Sequence, residues 1–98
     1  LRLVRGFEDK SGSVMTALYR ISDTDVEAAE FILHENTPHL GIPLKDLEIR
    51  KGFLIVALLH ENQVVVPSGG TVLSPGDRVI VISHGQGIQT FRDIFLKP

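Results

Sequence analysis

The chain has 98 residues, 43% of them hydrophobic and 22% charged, which is the composition of one globular domain. A net charge of −2 argues against a nucleic-acid-binding surface, because such surfaces need clustered Lys and Arg side chains. The absence of Cys excludes a disulfide scaffold, a thiolate metal site and a Cys nucleophile, and it fits a cytosolic protein.

The first residues indicate a continuation from an upstream segment. The chain opens on Leu1 rather than Met, so we expect it to be a piece of a longer protein. Leu1 and Val4, followed by Gly6, are typical of the last turn of a helix whose beginning lies upstream. The polar residues 8–13 contain Gly12 and indicate a loop.

Two apolar runs come next, at residues 14–21 (VMTALYRI) and 26–33 (VEAAEFIL). The spacing of their apolar residues fits either a helix or a strand. We favour an antiparallel hairpin, because the connecting SDTD turn is short and the first run holds a Thr, a Tyr and an Ile.

Residues 37–52 (TPHLGIPLKDLEIRKG) suit a short helix. Pro43 fits the first helical position, where the missing N–H costs little. Leu44 and Leu47 would face inward, and Gly52 would end the segment.

Residues 53–59 (FLIVALL) form a predicted strand without a polar residue, so both of its faces need a cover. The helices of this domain can cover one face. A chain of this size has little left for the other face, so the strand predicts a homodimer that buries it against a second copy.

Two further strands, residues 64–66 and 79–82, flank a segment rich in turn residues. Glu61 and Asn62 suit a tight turn into the first of them, since Asn tolerates positive φ. Pro67 cannot donate to a sheet, so it ends that strand or marks an edge.

The segment between these strands contains two predicted reversals. Pro75 and Gly76 occupy the second and third positions of a type II turn, and Asp77 is interpreted as an acceptor for the backbone N–H groups of this turn. A Gly-Gly pair allows the other reversal. The predicted structural turn residues are Gly69, Gly70, Pro75, Gly76 and Asp77.

The last segment predicts an amphipathic helix. Ile88, Phe91, Ile94 and Phe95 would share one of its faces. The predicted fold class is therefore α+β, with a small, mostly antiparallel sheet of about five strands, a short helix and a C-terminal amphipathic helix.

No pattern of catalytic or metal-binding residues emerges from the sequence. The His residues lack the spacing of a metal site, and we predict no metal ligand and no catalytic residue. They are His34, His39, His60 and His84, of which His60 is interpreted as a strand-end residue. Gly85-Gln86-Gly87 begins a dinucleotide-like pattern, but residue 90 is Thr and no second strand follows. There is no Gly-x-Ser-x-Gly motif and no phosphate loop, which leaves a small enzyme with an unrecognised site as an open alternative.

Residues 64–81 (VVVPSGGTVLSPGDRVIV) closely resemble the signature of the TrkA C-terminal domain, also called RCK_C. That signature has two aliphatic residues, Pro, a small turn, Thr, an aliphatic residue, Leu, two more residues, Gly-Asp and an aliphatic strand. Residues 44–47 (LKDL), with Gly52 and the following apolar run, are similar to the family too. Residues 12–14 and 26–31 resemble the junction before this domain, which implies a preceding-domain end and junction hairpin at 1–36 and the TrkA C-terminal domain at 37–98.

The resemblance implies a regulatory domain of a Trk-type potassium uptake system, and not an enzyme. Such proteins lie in the cytoplasm, at the inner face of the cell membrane, through contact with a membrane potassium-transport subunit. They dimerise and form larger rings in the full-length protein. An alternative is the same regulatory domain attached to another transporter, for an anion or a dicarboxylate, or to a transcription regulator. No nucleic acid is an expected partner, and no membrane insertion is expected, because no apolar run approaches the ~18–20 residues of a span.

The resemblance also implies where ligands bind. NAD(H) or ATP/ADP is expected in an N-terminal domain that this chain lacks, and no cofactor is expected in the chain itself. Some members bind cyclic di-AMP, a small nucleotide, between two copies, and Arg50, Ile55 and Pro67 fit the places of their ligand-binding residues. Leu54 stands where those members have Asn and cannot make the hydrogen bonds of an amide, so we expect weak or no binding of cyclic di-AMP.

Overall fold

The computed structural model describes residues 2–8 and 12–96. In these residues the chain forms one antiparallel sheet of six strands, in the order β1-β2-β3-β6-β4-β5. The strands are β1 (Arg2–Glu8), β2 (Ser13–Arg20), β3 (Val26–Leu33), β4 (Phe53–His60), β5 (Gln63–Val65) and β6 (Arg78–His84). Two short 3-10 helices, Leu44–Asp46 and Phe91–Ile94, lie in the connecting segments.

Strands β2 and β3 confirm the predicted hairpin. In β3 alternate residues from Glu27 to Leu33 are buried, as expected for a strand with one covered face. In β2 the pairing register shifts between Met15 and Ala17, which marks a β-bulge. The bulge interrupts the two-residue period, and this explains why the sequence of β2 fits a helix as well as a strand.

Strand β1 differs from the sequence-based interpretation of the first residues. The prediction of a helix end there is wrong, because Arg2–Glu8 is a strand that pairs with β2, from Arg2 opposite Leu18 to Glu8 opposite Val14. Pairing with β1 satisfies backbone groups at the edge of β2 that a helix would leave unpaired. Leu1 and residues 9–11 of the predicted loop lie outside the described residues.

The sheet has a covered face and an open face. The covered face packs against the segments that connect the strands, and the two sides together form the core. The buried apolar residues of this core are Met15, Ala29, Phe31, Leu33, Phe53, Ile55, Leu58, Leu73, Val79, Val81, Ile88, Phe91, Ile94 and Phe95. Strand β3 pairs with β6, so the predicted junction hairpin belongs to the same sheet as the later strands.

The two predicted helices correspond to 3-10 turns in the described residues. Backbone groups there bond to distant segments instead of continuing a helix: Lys45 N–H donates to Gly69 O at 3.0 Å, and Arg50 N–H donates to Ile94 O at 2.8 Å. The inward side of the C-terminal segment is nevertheless as predicted, since Phe91 is buried and its ring lies 5.6 Å from that of Phe31.

Candidate interaction surface

The open face of the sheet is mostly apolar. Strand register places Leu54 opposite Ile82 and Ala57 opposite Ile80 across the β4–β6 pair. Leu54 and Val64 are 61% and 75% exposed, which is unusual for large apolar side chains on neighbouring strands. We define the open face by its apolar members Ala28, Ile32, Leu54, Ala57, Leu59, Val64, Ile80 and Ile82.

Strand β4 presents its two faces to different surroundings. Phe53, Ile55 and Leu58 are buried on the covered face, and Leu54 faces outward between them. A bulge between Ile55 and Ala57 returns Leu58 to the core. The chain therefore covers one face of this strand with its own segments, and the other face remains open in the described chain.

The residues predicted to bind a ligand lie in three different settings. Arg50 is exposed before β4, and its guanidinium donates to Asp93 O at 3.4 Å. Ile55 is 6% exposed, on the covered face of β4. Pro67 is half-buried and follows edge strand β5. Leu54 projects from the opposite side of β4 to Ile55.

The turn before β6 has the geometry of a type II turn. Gly76 has a φ of +89°, and Asp77 N–H donates to Ser74 O at 3.1 Å. The Asp77 carboxylate accepts from Ser74 N–H at 3.0 Å, in the role that the sequence assigns to it. Gly76 and Asp77 also exchange backbone hydrogen bonds with Leu33, at 2.7 and 2.9 Å, which attaches the turn to the end of β3.

The Gly-Gly turn precedes this type II turn in the chain and spans residues 68–71. Thr71 N–H donates to Ser68 O at 3.1 Å, which places Gly69 and Gly70 at the two central positions of the turn. The Thr71 hydroxyl accepts from Ser68 N–H at 3.0 Å and closes the same turn from its side chain.

A contact that the sequence did not indicate joins His60 to Asp77. The Nδ1 atom of His60 lies 2.6 Å from Asp77 Oδ1, and the side chain of Asp77 is 3% exposed. Nε2 of the same ring lies 3.5 Å from Glu61 Oε2. The hydrogen bond with Asp77 and the charge of its carboxylate raise the pKa of His60, and the Glu61 charge adds a smaller increase.

An open cavity of about 380 Å³ lies where β2, β3 and β6 come together at one end of the sheet. The Glu27 carboxylate within it is engaged on both oxygens, by Arg20 at 3.1 Å and by Ile88 N–H at 3.3 Å. The residues that line the cavity are Arg20, Asp23, Thr24, Asp25, Glu27, Gly85, Gln86 and Gly87. Gly85-Gln86-Gly87 thus leads from β6 into this cavity and is followed by a 3-10 helix at Phe91–Ile94.

Among residues 12–96, whose side chains the structure describes, no three or more His, Asp or Glu residues form a group that could hold a metal ion. The same part of the chain has no helix with the length and apolar character needed to cross a membrane.

The fold and surface define a small β-sheet domain with a covered core and an open apolar face. The family model of the TrkA-C domain matches residues 28–96, from β3 to the end of the described chain. This match spans more than half of the chain, which therefore belongs to the TrkA-C domain family and confirms the resemblance seen in its sequence.

Curated relatives carry potassium-transport names. The chain is 25% identical, over 86% of its length, to the Trk system potassium uptake protein TrkA homolog 2 of Methanosarcina mazei. It is 34% identical, over 62% of its length, to the Trk system potassium uptake protein TrkA of Azorhizobium caulinodans. It is also 32% identical, over 70% of its length, to the K(+)/H(+) antiporter NhaP2 of Shewanella sp. strain ANA-3. The matches span 19%, 13% and 12% of these three relatives.

Proposed function

We propose that this chain is a cytoplasmic regulatory domain of a Trk-type potassium uptake system, which dimerises and relays a signal without chemistry of its own. Its membership of the TrkA-C family and the names of its relatives support the potassium assignment. The expected partners are a second copy, a larger ring in the full-length protein, and a membrane potassium-transport subunit. In this proposal the domain lies at the inner face of the cell membrane. NAD(H) or ATP/ADP binds in a preceding domain.

The open face carries the dimer proposal. Apolar side chains from β3, β4, β5 and β6 surround the Arg78–Glu30 ion pair there, and a two-fold axis would set this face against its own copy. Fully burying a Leu or Val side chain contributes roughly 1.5–3 kcal/mol relative to leaving it in water. Leu54 and Val64, at 61% and 75% exposed, have most of that contribution still to gain.

The dimer test uses two leucines of similar exposure. Leu54→Glu places a charge on the open face, and Leu96→Glu places one on the C-terminal segment, where Leu96 is 58% exposed. Light scattering at micromolar concentration should give about twice the 10.8 kDa chain mass for wild type and L96E, and the chain mass for L54E. Val56→Glu, in the half-buried bulge of β4, should dissociate the dimer or unfold the chain. A monomeric wild type would contradict the proposal.

A relayed signal requires two arrangements of the dimer that a ligand or a neighbouring domain stabilises to different degrees. If a small ligand acts on this domain, we propose that it binds between two copies, near the exposed Arg50 and the half-buried Pro67, and not against the side chain of Ile55, which is 6% exposed on the covered face. Arg50 is the base among them, and its exposed guanidinium can pair with a phosphate.

Calorimetry with cyclic di-AMP, ATP and NADH tests this ligand site. We expect weak or no heat with cyclic di-AMP, because Leu54 offers no amide. Tight binding that is lost in Arg50→Ala but retained in Arg92→Ala would overturn that expectation and place the sensor in this chain. Arg92 is also exposed and lies on the C-terminal 3-10 helix, so it controls for the loss of one surface charge.

A second candidate is the same domain attached to a different transporter. The antiporter relative supports it, because 70% of this chain matches a protein named for K(+)/H(+) exchange. The sequence before Leu1 distinguishes the two candidates: a dinucleotide-binding fingerprint there favours the uptake regulator, and a membrane span favours a transporter fusion.

A further inference from the structure

The imidazole of His60 lies between two carboxylates. Nδ1 is 2.6 Å from Asp77 Oδ1, and Nε2 is 3.5 Å from Glu61 Oε2. A neutral imidazole has a single N–H, so it can donate to one carboxylate while its other nitrogen presents a lone pair to the second. The protonated ring carries two N–H groups and satisfies both contacts, so the arrangement of the cluster favours imidazolium.

Among the side chains that the structure describes, His60 is the cationic partner of Asp77. The Asp77 carboxylate is 3% exposed, and it also accepts a hydrogen bond from the neutral Ser74 N–H. Arg78 is the next residue along the chain, but its guanidinium pairs with Glu30 at 3.4 Å. A buried carboxylate without a cationic partner is costly, so loss of the proton from His60 leaves an unfavourable charge in this corner of the fold.

The His60–Asp77 contact joins the end of β4 to the turn that precedes β6, just beyond Leu59 and Arg78, the last paired residues of these two strands. His60 ends β4 and leads into the two-residue turn of the β4–β5 hairpin, in which Glu61 and Asn62 have φ values of +49° and +66°. Strand β5 is an edge strand and pairs only with β4 in the described residues. Asp77 belongs to the turn that is attached to Leu33 at the end of β3, near the centre of the sheet.

We propose that His60 and Asp77 form a pH-dependent ion pair, in which protonated His60 holds the β4–β5 hairpin against the turn that precedes β6. Neutral His60 lets the edge hairpin separate from that turn more readily. The pKa of His60 is raised by the same carboxylates, so the ion-paired form persists above pH 6.5, the ordinary pKa of histidine being about 6.5.

The His60–Asp77 ion pair affects the open face, because the hairpin that it holds contributes Val64 from β5 and Leu59 from the end of β4 to that face. Dimer affinity should therefore fall as pH rises through the His60 pKa. This consequence alone rests on the dimer proposed above. The titration of His60 and the mobility of the hairpin do not depend on that proposal, and they are measured on the same chain whatever its oligomeric state.

NMR spectroscopy between pH 5 and 9 provides the test. The imidazole Cε1–H signal of His60 should titrate above the ordinary value of about 6.5. The amide signals of Gln63, Val64 and Val65 should shift with the same midpoint. Their protection from hydrogen exchange, corrected for intrinsic base catalysis, should fall severalfold across it.

Three variants keep the test specific. His60→Asn retains a neutral donor near the position of Nδ1, and it should abolish the pH dependence of the hairpin amides. Glu61→Gln, at an exposed position, should lower the His60 pKa slightly. His84→Asn removes a comparable contact, 3.2 Å from Asp25, in which both side chains are largely exposed, and the hairpin response should persist. A His60 titration at or below 6.5, or hairpin amides that do not follow it, would overturn the proposal.

Discussion

The carboxylate of Glu27 accepts a hydrogen bond from the backbone N–H of Ile88 at 3.3 Å, across 61 residues of sequence. Its other oxygen lies 3.1 Å from Arg20 Nη2, and the Glu27 side chain is 10% exposed. A side chain on the covered face of β3 thus satisfies a backbone donor at the start of the C-terminal segment, and it connects that segment to the sheet.

Glu27→Leu should destabilise the fold, because it leaves the buried Ile88 N–H without its acceptor. An unsatisfied buried donor costs about 1–3 kcal/mol. Glu27→Gln keeps an acceptor oxygen and should cost less. Urea denaturation measures both changes, with Glu35→Leu, at an exposed position, as the control. Equal stabilities for E27L and E27Q would show that the contact with Ile88 contributes nothing.

Gly76→Val should destabilise the chain by on the order of 1–3 kcal/mol, because Gly76 has a φ of +89° that a β-branched residue adopts only with strain. Gly70→Val is the matched control. A Cβ atom meets nothing within 4 Å at either glycine, and Gly70 lacks the positive φ, so the pair separates backbone strain from crowding. Thermal melts that coincide for the two variants would contradict the prediction.

Phe91→Ala should reduce the free energy of unfolding by about 3–5 kcal/mol, the usual range for a buried phenylalanine. The Phe91 ring is fully buried and packs against Phe31 at 5.6 Å and Phe95 at 5.2 Å between centroids. Phe91→Leu fills part of the cavity and should cost less. In chemical denaturation the free energy of unfolding should decrease in the order wild type, F91L, F91A. A loss in F91A no larger than that of a surface substitution would rule out a core role for Phe91.

The stability of the chain should depend on pH through His60. Its folded pKa lies above the unfolded value of about 6.5, so the stabilisation is fully present below pH 6.5 and is lost as pH rises through the folded pKa. The difference in unfolding free energy between wild type and His60→Asn should therefore shrink over that window. Denaturation of both proteins, with His84→Asn alongside, measures it. A difference that stays constant or grows with rising pH would contradict the assigned contact.

The turns could be predicted because their information is local. Pro75 and Gly76 set the backbone angles of a type II turn, and Glu61-Asn62 accommodates the positive φ values of a two-residue hairpin turn. The five later strands follow from runs of β-branched and apolar residues. The bulge in β2 blurred the two-residue period, but the short turn before β3 still indicated a hairpin.

The C-terminal segment shows the limit of a periodic pattern. The spacing of Ile88, Phe91 and Ile94 correctly predicted which side chains face the core. It could not decide that the backbone would form a single 3-10 turn, because the choice depends on partners elsewhere in the chain. Glu27 accepts from Ile88 N–H and Arg50 N–H donates to Ile94 O, and these contacts replace a longer helix.

The sequence by itself determined the five later strands, the turn positions, the inward-facing residues and the family. Tertiary structure decided the order of the strands, the pairing of β1 with β2, and the meeting of His60 with Asp77. The two side chains are 17 residues apart, and they meet because β4 pairs with β6 in a register that sets Leu59 opposite Arg78. Local residue types fix local backbone angles, whereas a register depends on the packing of the whole sheet, and it determines which polar groups become partners.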